Sequence, residues 1–293
     1  MPRARECLEQ AIAIDPGYAL PHSVMGGSFV TPAVFGMLPA HQAMPPARAA
    51  YQKALEIDPA LPEALVGLAS ISMLYDYNWK EAGRLFEMAM ARGPLPASAR
   101  ARYCHYLFFT GRPEAAMKEI AGAVQADPLN LTFRSMLAWA LMITGRDVEA
   151  ASECRHILEL DEKNNLGHFY LSLISVQRGE IREALASAEK AYSAAPWVRA
   201  GCGYVAALLK LTGDTDCAGT MLEKLGDGQE YGAPFGFVYY YLVGSEVDQA
   251  ADWAEKAIEQ RDAAVRNLLV LPLAKDLRQS ARWPALAKML NLP

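Results

Sequence analysis

Residues 47–59 read ARAAYQKALEIDP, and the pattern returns at 4–16 (ARECLEQAIAIDP), 82–94 (AGRLFEMAMARGP), 116–128 (AMKEIAGAVQADP), 150–162 (AASECRHILELDE), 184–196 (ALASAEKAYSAAP) and 250–262 (AADWAEKAIEQRD). Each is an amphipathic helix of similar length, and five of the seven end in Pro. Aligned, they give a column of Ala4, Ala47, Ala82, Ala116, Ala150, Ala184, Ala218 and Ala250, with spacings of 43, 35, 34, 34, 34, 34 and 32. A second column seven residues on holds Ala11, Ala54, Ala89, Ala123, Ile157, Ala191, Leu225 and Ala257. A single alanine match is cheap, but eight in register at a near-constant period mark a structural repeat.

The columns have a steric cause. Helix axes approach closely only where the contact side chains are small. Leu8, Tyr51, Phe86, Ile120 and Leu222, three or four positions on, fill the space beside each alanine. Pro16, Pro59, Pro94, Pro128 and Pro196 stop these helices, because proline cannot continue the hydrogen-bond ladder. A partner helix follows each stop, at roughly 61–75, 96–110, 130–144, 164–178, 198–212 and 231–243, and Gly111, Gly145, Gly179 and Gly213 close four of them at intervals of 34. The fold class is therefore all-α, an alpha-alpha superhelix of antiparallel helix pairs. Residues 1–16 form a half repeat, 17–262 seven repeats, and 263–293 C-terminal capping helices.

The first step exceeds the period by 43 − 34 = 9 residues. Pro16 to Ala47 is free of Asp, Glu, Lys and Arg but holds six prolines, so a loop-rich insertion is expected at about 26–46. A membrane span is not, since that needs about 20 apolar residues in unbroken helix. The half repeat leaves Leu8, Ile12 and Ile14 without a neighbouring pair. Arrays need a polar terminal cap, so either the natural chain extends further or this end docks, for example on a second copy.

Composition narrows function. The net charge of −5, without a Lys/Arg stripe, argues against nucleic acid and anionic membrane as partners. Five cysteines without framework spacing and the absence of an apolar leader point to reduced, buried thiols in a cytoplasmic protein. Cys104-His105 and Cys154-x-His156 diverge around their helices and cannot chelate one ion. Cys202 and Cys217 fall near opposite ends of a helix pair, too far for a disulfide. No catalytic constellation and no cofactor or metal site emerges.

The period, the alanine columns and the terminal prolines resemble the tetratricopeptide repeat family over essentially the whole chain. Residues 35–59 (FGMLPAHQAMPPARAAYQKALEIDP), 74–90 (LYDYNWKEAGRLFEMAM), and 246–262 with 277–290 (LRQSARWPALAKML) resemble more closely the C-terminal arrays of bacterial winged-helix regulators, Ser/Thr kinases and adenylate cyclases. The resemblance implies a non-enzymatic interaction or sensing module, with a regulatory or oligomerisation segment of a larger signalling protein as the alternative. In such repeats the first helices line a concave wall. Here that wall includes His105, Phe108, Trp139, Met142, Phe169, Lys210, Phe235 and Tyr239, apolar and aromatic with His105 and Lys210 its only cations. Aromatics and Met are the anchors a peptide groove offers, although the same side chains could pack between repeats or against an internal tail. The family's carboxylate clamp is not expected, because its positions hold Ala101, Ser135, Phe169, His105, Trp139 and Leu173.

Overall fold

The computed structural model describes residues 2–91, 93 and 95–292, so Pro94 lies outside the described residues. Among these, helices are the only regular structure. A leading helix, α1 (Pro2–Ile14), precedes seven antiparallel pairs. These are α2 (Ala19–Val34) with α3 (Ala40–Ile57), α4 (Pro62–Leu74) with α5 (Trp79–Met90), and α6 (Ala97–Phe109) with α7 (Pro113–Ala126). Then come α8 (Leu131–Ile143) with α9 (Asp147–Leu160), and α10 (Asn165–Gln177) with α11 (Ile181–Ala194). The last two are α12 (Arg199–Thr212) with α13 (Thr215–Glu223), and α14 (Ala233–Val243) with α15 (Val247–Glu259).

Local chemistry sets these boundaries. The side chains of Asn78, Asn130, Asn164 and Asp214 each accept a hydrogen bond from a first-turn N–H of the helix that follows, satisfying donors with no intrahelical partner. Between the helices of each pair the chain turns through a left-handed residue. Gly111, Gly145, Gly179 and Gly213 take it at φ of 73–91°, and Tyr77 and Ser245 occupy the same register without being glycine. The next N–H then reaches back to a carbonyl near the end of the helix, as from Arg146 to Leu141 at 2.9 Å.

The alanine columns lie at the helix contacts: Ala47, Ala82, Ala116, Ala150, Ala184, Ala218 and Ala250 are all buried. Helices α12 and α14 approach so closely that a Cβ on Gly203 would lie 1.8 Å from the Gly236 carbonyl oxygen.

The first pair corrects the expectation of a loop-rich insertion. Helix α2 runs to Val34 and α3 begins at Ala40, so most of the extra residues lengthen the two helices and only 35–39 connect them. Pro32 falls near the end of α2, and Pro45 and Pro46 in the second turn of α3. Each removes one ladder donor. Val30, Ala33, Ala40, Ala43 and Met44, all buried, supply the apolar contact that holds the helices together despite this. Packing here outweighs the break signal that the proline count carries.

The first helices form the inner wall, with α4 against α6, α8 against α10 and α12 against α14. Beyond α15 the chain does not simply lie over the last repeat. A 3₁₀ turn (Ala263–Arg266) packs against α2 and α15, α16 (Asn267–Val270) against α6, and a second 3₁₀ turn (Pro272–Ala274) against α10 and α14. Residues 263–274 therefore thread the concave interior. Helices α17 (Lys275–Gln279) and α18 (Trp283–Met289) then cover α15. The Trp79 indole donates to the Leu290 carbonyl at 2.8 Å, and the Asn291 amide to the Tyr77 carbonyl at 3.1 Å. The end of the chain thus joins the last pair to the α4–α5 turn.

Candidate functional site in the concave interior

Two aromatic clusters face inward from the first helices. On α6 and α8, Trp139 meets the edges of His105, Phe108 and Phe109 at centroid separations of 5.0, 5.1 and 6.1 Å. On α10, α12 and α14, Phe169, Tyr204, Phe235 and Tyr239 form a second cluster with separations of 4.9–6.0 Å. The inner segment lies against these clusters. The Asn267 amide donates to the Tyr239 hydroxyl at 3.2 Å, and Leu268 and Leu271 are buried.

Between wall and segment remains a cavity of about 180 Å³. Of the eight wall residues expected from the sequence, His105, Trp139, Phe169 and Tyr239 line it. Phe108, Met142 and Phe235 do not; they are buried in inter-repeat packing, Met142 and Phe235 completely. Lys210 is exposed and outside the cavity, pairing with Glu246 at 3.1 Å and lying over the Tyr240 ring. A side chain near the end of a first helix reaches the next pair before it reaches the interior.

The electrostatics also differ from the expectation of His105 and Lys210 as the wall's cations. Burial pushes the His105 imidazole down to about 3, and Arg266 and Arg102 add to the effect, so it is neutral. The inner segment instead brings Arg266 into the interior, and Arg199 of α12 lines the same space. The Arg266 guanidinium donates to the Ala263 carbonyl, and burial lowers its affinity for the proton. Asp262 lines the same space and accepts from the Ala264 N–H at 2.8 Å. Burial raises its carboxyl to about 6, against that hydrogen bond and the field of Arg266.

Sequence reading missed Arg266, Asp262, Tyr170 and the α2–α3 connection at Val34–Gly36, which also line the cavity. One signal was available: residues 263–274 (AAVRNLLVLPLA) carry a single charge in an otherwise largely apolar run, more than an exposed cap requires.

The thiols offer no nucleophile in this interior. All five cysteines are unpaired; Cys104, Cys154 and Cys202 are buried, whereas Cys7 and Cys217 are exposed, against the expectation that all are buried. Burial pushes Cys104 and Cys154 up to about 12, far from the range of reactive thiolates. Among the described residues no group of three or more His, Cys, Asp or Glu could hold a metal ion, and no helix is long and apolar enough to cross a membrane.

No protein-family model matches the chain, and no curated protein matches it. Solved structures do. A tetratricopeptide repeat protein from Parabacteroides merdae superposes with a TM-score of 0.55 at 15% identity, covering 94% of this chain and 99% of that one. The chain folds as a tetratricopeptide-repeat superhelix. Pseudomonas aeruginosa PilF gives a TM-score of 0.55 at 17% identity over 78% of this chain and 97% of that one. Human IFIT1, a dimer solved with PPP-AAAA, gives 0.62 at 12% identity over 88% of this chain and 67% of that one. These likenesses establish the architecture; they carry no partner across to this chain.

Proposed function

We propose that this protein is a non-enzymatic interaction scaffold whose concave wall takes an apolar or amphipathic peptide segment. The supporting observation is that the wall already holds such a segment: residues 263–274 of the chain itself lie along it. Burial of Leu268 and Leu271 is the kind of anchoring that helix-in-groove recognition uses. In this reading the inner segment is an internal competitor, and a partner peptide displaces it. Trp139, Phe169 and Tyr239 are the anchors; Phe108, Met142 and Phe235 support them from behind, and Lys210 stands apart.

A fluorescently labelled peptide with the sequence of residues 262–274 tests the reading by anisotropy. The intact chain binds it weakly, because its own copy occupies the wall. Leu268→Glu, which expels that copy, binds it tighter by about tenfold or more, on the scale of one buried leucine. Adding Phe169→Ala removes the gain. Absence of binding by Leu268→Glu defeats the proposal.

A second reading, self-association through the N-terminal end of a regulatory module, has its own observation. Ile14 on α1 is 86% exposed, and Tyr18 and Val24 in the following residues are also exposed. Light scattering distinguishes it: a dimer dissociated by Ile14→Asp supports this face as the contact, and a concentration-independent monomer rules it out.

A further inference from the structure

We infer that the interior cavity is a binding site for a small organic carboxylate with a compact apolar body, held through Arg266. The site shares Trp139, Phe169 and Tyr239 with the peptide-binding wall but takes its charge from Arg266 of the inner segment, so it is formed while that segment is in place and does not depend on a partner displacing it.

The decisive feature is an unpaired cation inside the superhelix. Arg266 lines the cavity, and among the described residues no carboxylate comes within ion-pair distance of it. The contact with the Ala263 carbonyl uses part of a planar fork of five donors. Buried charges are ordinarily paired, because desolvating one alone is costly. Tyr170 lines the same space, and its hydroxyl lies in the field of Arg266 and makes no hydrogen bond among the described residues. A carboxylate presents two oxygens to a guanidinium fork in a bidentate pair, with the phenol free to donate to one of them.

The surroundings limit the charge and size of the occupant. Arg199 also lines the cavity but is committed to Glu230 and the Lys224 carbonyl, and His105 is neutral. Asp262 adds negative potential nearby. One uncommitted positive charge beside a carboxyl suits a monoanion and disfavours a phosphate dianion. The remaining walls include Trp139, Phe169, Tyr204 and Leu271, which call for an apolar body. A cavity of about 150 Å³ lined by apolar side chains accommodates benzene, so about 180 Å³ takes a ring or short chain bearing one acid group.

Thermal unfolding of the full chain tests the site with sodium benzoate, sodium hexanoate, neutral benzamide and inorganic phosphate. Benzoate or hexanoate raises Tm, by about 3 °C at roughly ten times Kd and with the logarithm of concentration above that, and benzamide and phosphate do not. Arg266→Gln weakens carboxylate binding about 10- to 100-fold, the range for a hydrogen-bonded charge. Tyr170→Phe, which keeps the ring and so remains informative if Arg266→Gln does not fold, weakens it about 3- to 10-fold. Equal stabilisation by benzamide identifies a plain apolar void and overturns the inference. So does a shift with phosphate alone, no shift with either carboxylate, or carboxylate binding unchanged by both variants.

Discussion

At the scale of single residues, the molecule depends on a few positions whose neighbours leave no alternative. Gly203 is one, because the Gly236 backbone occupies the place of a Cβ. Gly203→Ala must push α12 and α14 apart and should cost roughly 2–3 kcal/mol, the upper range for overpacking. Gly219 in α13 has open space around its missing Cβ, and Gly219→Ala should gain about 0.5–1 kcal/mol from helix propensity. Urea unfolding of the two variants measures both, and equal effects would refute the close-packing argument. Interior titration gives a second residue-scale prediction. The folded state holds His105 at about 3 against about 6.5 in the unfolded chain, so its contribution is complete above about pH 6.5 and is lost as pH falls. Asp262 runs the other way: its folded value of about 6 exceeds the unfolded 3.9 or so, giving a penalty above about pH 6 that is relieved on acidification. From about pH 6 to 4 the slopes oppose, each approaching 1.4 kcal/mol per pH unit at most. Relative to wild type, Asp262→Asn should therefore lose stability faster on acidification and His105→Gln more slowly. Urea midpoints across this range check both, and matching slopes in all three proteins would exclude the assignment.

At the scale of elements, the period carried most of the information. The alanine columns, Asn caps and left-handed turns are local features, so helix pairing was legible to within a residue or two at each first helix. The extent of α2 and α3 and the anchoring of α18 were not. Helices α2 and α3 continue past prolines because their faces bury Val30 and Met44, a packing fact no break signal contains. Helix α18 is held by contacts that sequence distance hides: Trp79 and Leu290 are 211 residues apart in the chain. The same helix buries Leu286 and is tied to α15 by Arg282, which reaches Asp252 and Glu255. The ion pairs are largely solvent-exposed and contribute little, so the buried indole bond is the better target. Trp79→Phe leaves the Leu290 carbonyl without its donor and should destabilise by about 1–2 kcal/mol. Hydrogen exchange should rise in residues 286–291 before it rises in α8–α12, and uniform loss of protection would argue against a separate latch.

At the scale of the whole molecule, the inner segment makes an open superhelix into a closed one. A solenoid repeat touches only its neighbours, so curvature is ordinarily set by small rotations that add up along the array. Here residues 263–274 touch α2, α6, α10 and α14, elements drawn from four different pairs, while α18 joins α15 to the α4–α5 turn. Such cross-links couple repeats that would flex independently. Helical spacing made part of the cavity lining legible in the sequence, namely His105, Trp139, Phe169 and Tyr239. What fills it was not, because a four-residue helix and two 3₁₀ turns have no period to read. Expelling the segment should therefore have two linked consequences. Leu268→Glu places a charge where a leucine is 1% exposed; the desolvation of an unpaired carboxylate favours its departure from the interior. Small-angle scattering should then report a larger radius of gyration than wild type. The tyrosine and tryptophan rows should become accessible to a hydrophobic dye, with helix content nearly unchanged. Expansion with loss of helix would mean that the segment is part of the folding core. Expansion with helix retained would mean that the repeats stand alone and the segment holds them closed.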